Sequence, residues 1–211
     1  MILEEFKKIE TKCLEILNSE QFMSEMLDSP RAVGDAVQEF LAKRFEECLS
    51  EIGFNFNSDF SRRSMADLAF NDKEGNYHVV DIKTHSLDGE FSMPNLISIE
   101  RLFRFYEDSK NFFDLLLVDY SIENDRIVFK KVKFQPIENL DINCLTIGAL
   151  GWGQLQIKSM EKVNFLEIER GEWLLKLLEK IEKFYDAENK KIESRKEHFS
   201  SIKNSLINRK K

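Results

Sequence analysis

The run Ser64-Met65-Ala66-Asp67-Leu68-Ala69-Phe70, the link Asn71-Asp72-Lys73-Glu74-Gly75-Asn76 and the run Tyr77-His78-Val79-Val80-Asp81-Ile82-Lys83-Thr84-His85 decide how this chain folds. The outer runs are short, apolar and β-branched, and the link is rich in turn formers, which is the pattern of a β-hairpin. Side chains alternate along a strand. Tyr77, Val79, Asp81, Lys83 and His85 therefore share one face, and His78, Val80, Ile82 and Thr84 share the other. A three-residue loop Lys73-Glu74-Gly75, with Gly75 left-handed, pairs Asn76 with Asp72 and, counted outward, Asp81 with Asp67. A bulge would move that register by one residue. Directly opposed side chains have Cβ atoms about 4.5–5.5 Å apart, and like charges so placed destabilise a sheet. The pair Asp67–Asp81 needs a cation, and a hard divalent ion bound by oxygens suits it. The plainer alternative is a salt bridge between Asp81 and Lys83 at the end of an apolar strand.

Around this hairpin the apolar spacing changes period. Ile2, Phe6, Ile9, Cys13, Ile16 and Leu17 recur at helical spacing, and Ser29-Pro30 interrupts them. A second helix is expected from about Val33 to Ile52, with Asp35 and Glu39 on a face of their own and Gly53 closing it. After the hairpin, Asp88-Gly89 marks a loop, and Pro94 suits the first turn of a helix over Asn95–Asp108. Phe112–Tyr120 is a continuous apolar run, as in a strand covered on both faces. Ile127–Phe134 and Gln154–Lys158 read as further strands, and the pattern from about Glu167 onward is mostly helical. Helices at both ends around a mixed set of strands give an α/β or α+β domain.

Composition bounds the function. The chain of 211 residues is 42% hydrophobic and 33% charged, which fits one domain with a real core. No apolar run reaches the ~18 residues of a membrane helix, and the N-terminus lacks the plan of a signal peptide. Cys13, Cys48 and Cys144 fit neither a disulfide framework nor a zinc site, which points to a reducing cytoplasm. A net charge of −7 argues against a simple basic DNA coat. The tail from Asn189 is different, with eight basic residues against two acidic ones, a net +6. It is either a solubilising end or a contact for a polyanion.

Asp67 followed by Asp81-Ile82-Lys83 resembles the PD-(D/E)XK nuclease motif, with Ala66 standing where the motif has proline. Ala66-Asp67-Leu68, Asp81-Ile82-Lys83-Thr84, Met93-Pro94-Asn95-Leu96-Ile97-Ser98 and Gln154-Leu155-Gln156-Ile157 occur in the order and at the spacing of HincII-type blunt cutters, a group of type II restriction endonucleases. The likeness covers roughly residues 31 to 160, and loosely the C-terminal helices. It implies a single domain over 1–211, with a catalytic core about 31–160 and C-terminal helices about 165–205. The implied fold is a restriction-endonuclease-like mixed β-sheet flanked by α-helices, with a long C-terminal helical segment.

The resemblance also implies an activity: Mg2+-dependent, site-specific hydrolysis of double-stranded DNA in the cytoplasm, by a homodimer on a short, palindromic site. A cognate DNA methyltransferase in the same host would be a partner. Asp67, Asp81 and the main-chain carbonyl of Ile82 would hold the metal, and Lys83 would complete the catalytic set. Glu39 is a candidate additional acid, or a solvated helix face. Ser92, Met93 and Asn95 fall where such an enzyme approaches the bases, and Gln154 and Gln156 share a strand face; amides suit adenine. An ordinary helix cap at Asn95 and a polar sheet face at the glutamines are the alternatives. Two other classes stay open: a PD-(D/E)XK nuclease of DNA repair or branched-DNA resolution, and a non-catalytic DNA-binding or interaction protein.

Overall fold

The computed structural model describes residues 3–22, 29–50, 52–59, 65–89, 93–148 and 153–209. In chain order the elements are α1 (Leu3–Ser19), α2 (Pro30–Leu49), β1 (Gly53–Asn57), β2 (Leu68–Asp72), β3 (Tyr77–Ser86), β4 (Asn95–Ser98), α3 (Ile99–Phe105), β5 (Asn111–Glu123), β6 (Arg126–Pro136), β7 (Leu145–Gly148), β8 (Gln154–Ile157) and α4 (Arg170–Asn208). Ser64, Ser92, Lys210 and Lys211 lie outside the described residues.

The hairpin forms in the expected register. Leu68 faces Val80, Ala69 faces Val79, Phe70 faces His78 and Asn71 faces Tyr77. Gly75 takes φ +79°, a conformation that costs a side chain with a Cβ. The Asp72 carboxylate closes the loop, accepting the backbone N–H groups of Glu74 at 3.0 Å and Asn76 at 2.9 Å. Asp67 N–H donates to Val80 C=O at 2.9 Å, which carries the pairing one residue past the start of β2.

Five strands form a mixed sheet in the order β1-β2-β3-β5-β6. β3 and β5 run parallel, with Asp81 beside Leu115 and Lys83 beside Leu117. β5 and β6 are joined by a tight turn in which Asn124 and Asp125 have φ of 51° and 59°, the geometry of a hairpin turn that follows strand twist. Alternation along the strands divides the core. Leu68, Phe70, Val80, Ile82, Leu116, Val118 and Phe134 pack under α1 and α2. Ala69, Val79, Phe113, Leu115 and Leu117 face the opposite layer of α3, the three-stranded sheet β4-β8-β7 and the start of α4. Trp173 anchors α4 there, with its indole N–H donating to Leu140 C=O at 2.8 Å. Both faces of β5 are thus covered, as its unbroken apolar run requires.

A polar network is buried on the helix side of the sheet. His78 is fully buried between the rings of Phe70 and Phe112, with Nδ1 2.6 Å from Asp114 and Nε2 3.3 Å from Asp72. Burial pushes the imidazole pKa down, but the two carboxylates outweigh it and the net shift is upward. Burial likewise pushes the Asp72 carboxyl up, while hydrogen bonds from Asn76 and His78 bring it down to about 2. This network ties the hairpin loop to β5.

Three expectations are corrected. Asn95–Ser98 is a strand, and the helix begins at Ile99 with the Ser98 side chain accepting from Arg101 N–H. Pairing of Asn95 with Gln156 on β8 supplies hydrogen bonds that override the helical spacing. Ser50, with φ 48°, ends α2; Gly53 opens β1 instead. β1 itself is an edge strand that the helix-stop reading of Gly53 concealed.

Candidate active site

Asp67 is the residue immediately before β2, and Asp81 sits in the middle of β3. The register places them opposite each other, and Asp67 is latched in that position because its Oδ2 accepts the Ile82 N–H at 2.8 Å. Lys83, one rung further along the same face, brings Nζ to 2.6 Å from Asp81 Oδ1. The other oxygen, Asp81 Oδ2, is buried and has no hydrogen-bond partner. A buried carboxylate oxygen without a partner is costly, and native structures reserve such atoms for a proton, an ion or a ligand.

The electrostatics agree with the geometry. Burial pushes the Asp81 carboxyl up, Lys83 pulls it back and Asp67 pushes it up again, to about 7. Burial also raises Asp67, although the Ile82 N–H and the Lys83 charge oppose it. Two carboxyls held together against their own ionisation form a poised site.

The α2 residue at this site is Gln38. Its amide Nε2 donates to Asp67 Oδ2 at 3.3 Å and to Ile82 C=O at 3.4 Å. One turn earlier Gly34 lets the helix close on β3, since a Cβ there would stand 3.1 Å from Thr84 Oγ1. Glu39, the candidate additional acid, points elsewhere: it is solvent-exposed and paired with Lys43 at 2.7 Å. Helical rotation of 100° per residue puts the amide, not the acid, beside the two aspartates.

The carboxylates open into a cleft of about 400 Å3, lined also by Ser98, Arg101 and Gln154. Ser98 and Arg101 come from the β4–α3 junction, and the sequence reading missed both, as it missed Gln38. Gln154 lies in the cleft, as a residue meeting a ligand there would. Gln156 does not: its Nε2 donates to Asn95 Oδ1 at 2.6 Å across the β4–β8 pair. Asn95 and Gln156 therefore form one amide unit on the outer face of the small sheet. Met93 is exposed just before β4. A wider groove of about 530 Å3 between α1 and the end of α2 is lined by Lys7, Lys8, Lys12, Glu15 and Glu47.

The donor set suits a hard cation. Among the described residues no group of three or more His, Cys, Asp or Glu gathers at one point. The Asp67 carboxylate, the Asp81 carboxylate with its orphaned Oδ2, and the Ile82 carbonyl would suit an ion that keeps several waters and meets substrate oxygens, as magnesium does. Among the described residues no helix is long and apolar enough to cross a membrane. Compared with known proteins, no family model and no curated protein matches the chain.

Proposed function

We propose that the chain is a magnesium-dependent endonuclease that hydrolyses phosphodiester bonds in double-stranded DNA at a short site, working as a two-fold dimer on a palindrome. The observation that carries this reading is the arrangement of Asp67, Asp81 and Lys83 on one rung and its neighbour, with Asp81 Oδ2 buried and unpartnered. Two carboxylates that open into a polar cleft, with a lysine hydrogen-bonded to one of them, are parts for attack on a phosphate.

Each residue has a separable task. Asp67, Asp81 and the Ile82 carbonyl would hold the ion, which when bound polarises a phosphoryl oxygen and lowers the pKa of its water. Lys83 Nζ, anchored on Asp81 Oδ1, supplies positive charge beside the place where negative charge builds during attack. Gln38 and the Ile82 N–H fix the direction of the Asp67 carboxylate. Arg101, in the same cleft, is suited to a DNA phosphate, because guanidinium and phosphate match in shape. Gln154 in the cleft and the Asn95–Gln156 pair beside it offer amides to adenine edges. A host carrying such an activity needs protection of its own sites, and a cognate methyltransferase is the expected partner.

The test is digestion of a sequenced plasmid with the purified chain and magnesium, followed by mapping of the ends. A defined set of fragments supports a site-specific enzyme. Structure-dependent or processive degradation would instead assign the same site to repair or branched DNA.

A further inference from the structure

α4 runs for 39 residues, about 58 Å at 1.5 Å per residue, and the body of the protein uses only its first part. Trp173, Leu177 and Ile181 are its buried residues. Beyond Ile192 every described residue is exposed. The part that leaves the body gains nothing from packing within the described residues, and packing of an apolar face is where most helical stability in proteins comes from. This helix has such a face, and beyond Ile192 no described residue covers it.

The face repeats every seventh residue: Leu178, Tyr185, Ile192, Phe199 and Leu206. A seven-residue apolar repeat is the signature of helices that pair along a seam. Leu175 and Leu178 are 64% and 40% exposed near the body, and Phe199 and Leu206 are 65% and 55% exposed at the far end. Tyr185 and Ile202, along the same stretch, are 40% and 42% exposed.

We propose that two copies of this chain pair antiparallel along α4, about a two-fold axis at Ile192. The seam is complementary to its own reverse. A residue a given number of steps after Ile192 meets the partner's residue the same number of steps before it. Leu206 then meets the partner's Leu178, Phe199 meets the partner's Tyr185, and Ile192 meets the partner's Ile192. In this arrangement each flank of the seam faces the same flank of the other copy. Lys203 falls beside the partner's Glu182, and Arg195 beside the partner's Glu188. Both contacts join opposite charges, and each occurs twice.

A parallel pair lacks this match, because it sets Lys196 against the partner's Arg195 on both flanks. Opposite charges beside the seam select partner and orientation, so charge decides between the two arrangements. An interface of one patch with itself is what a closed two-fold dimer requires. The inference gives the dimer of the proposed function a physical seat, but it rests on α4 alone.

Sedimentation of the full chain at micromolar concentration, without DNA or metal, tests it. The expected mass is twice the 24.9 kDa of one copy. Phe199→Glu should return the chain to the single-copy mass with its far-UV spectrum nearly unchanged, since Phe199 touches no core. Glu182→Lys should weaken the dimer about tenfold, as like charges then meet across the seam, and Lys203→Glu added to it should restore the dimer. Oxidative crosslinking reads the orientation. A mixture of Leu178→Cys and Leu206→Cys copies should join the two variants to each other, and Leu206→Cys copies alone should not join.

A wild type that sediments at 24.9 kDa, a dimer indifferent to Phe199→Glu, or crosslinking of Leu206→Cys to itself would overturn the proposal. Because no DNA is present, a chain that pairs and does not cut contradicts only the nuclease reading, and a chain that cuts as a single copy contradicts this inference and the dimer of the proposed function but not its chemistry.

Discussion

Asp67 accepts the backbone N–H of Ile82 at 2.8 Å, so its carboxylate is held against Asp81 by the strand that carries Asp81. Two acids that repel are thereby locked together by backbone geometry, and burial, with repulsion from Asp67 added to it, raises the Asp81 carboxyl to about 7. The proton or ion at this point is part of the energetics of the fold.

Stability of the metal-free chain should therefore fall as pH rises. Asp81 is raised above its unfolded value, so the folded state holds the proton more tightly. The stability it contributes is full below about pH 4 and is lost as pH rises through about 7. Asp81→Asn should flatten that slope and stabilise the metal-free chain at pH 8 by on the order of 2–4 kcal/mol. Thermal melts across pH check this. Magnesium or calcium should raise the wild-type Tm at pH 8 and leave that of Asp81→Asn nearly unmoved.

Lys83 should act on the chemical step. Its ammonium offsets charge that appears only as the phosphate is attacked. Lys83→Ala should lower single-turnover cleavage by about three orders of magnitude or more, with a modest change in DNA affinity measured in calcium. Lys83→Arg should rescue poorly, because the planar guanidinium does not occupy the position of a compact ammonium. Normal cutting by Lys83→Ala would reduce the residue to a salt-bridge partner of Asp81.

Gln38 and Glu39 should behave in opposite ways. Glu39→Ala removes an exposed pair with Lys43, worth about 0–1 kcal/mol, and should leave cleavage unchanged. Gln38→Ala loosens the Asp67 carboxylate and should slow cleavage about tenfold, roughly 1.4 kcal/mol of barrier. Gln38→Glu adds a third carboxylate beside Asp67 and Asp81, which should tighten divalent binding in calorimetry and depress the metal-free Tm.

Asn95 and Gln156 should fail together. Their amides are already bonded at 2.6 Å, so either single alanine variant disturbs both. Each should relax sequence preference by about 1–3 kcal/mol against non-cognate duplexes, and the double variant should cost less than the sum. Equal loss on cognate and scrambled DNA would mean that the pair only braces the small sheet.

The part of the site carried by the hairpin was legible in the sequence. The strand period, the three-residue loop and Gly75 fix the register, and the register alone brings Asp67 to Asp81. What was not legible depends on contacts between distant segments. Leu96, Ile99 and Leu102 keep helical spacing and Pro94 looks like a helix start, yet pairing with β8 draws Asn95–Ser98 into a strand. The stripe Val33, Val37, Leu41 located the buried face of α2, but not which flank of it would meet β3. That flank carries Gln38, whereas charge drew attention to Glu39. Arg101 reaches the cleft from the start of α3, which no local pattern announces.

The most direct test of the account is magnesium-dependent cleavage of a sequenced plasmid by the wild type, Asp67→Ala and Asp81→Ala, with folding of each verified by circular dichroism. The account predicts discrete fragments from the wild type and no cutting by either folded variant. Cleavage near wild-type rate by Asp67→Ala or Asp81→Ala, or an intact plasmid with the wild type across a range of divalent ions and sequences, would contradict it.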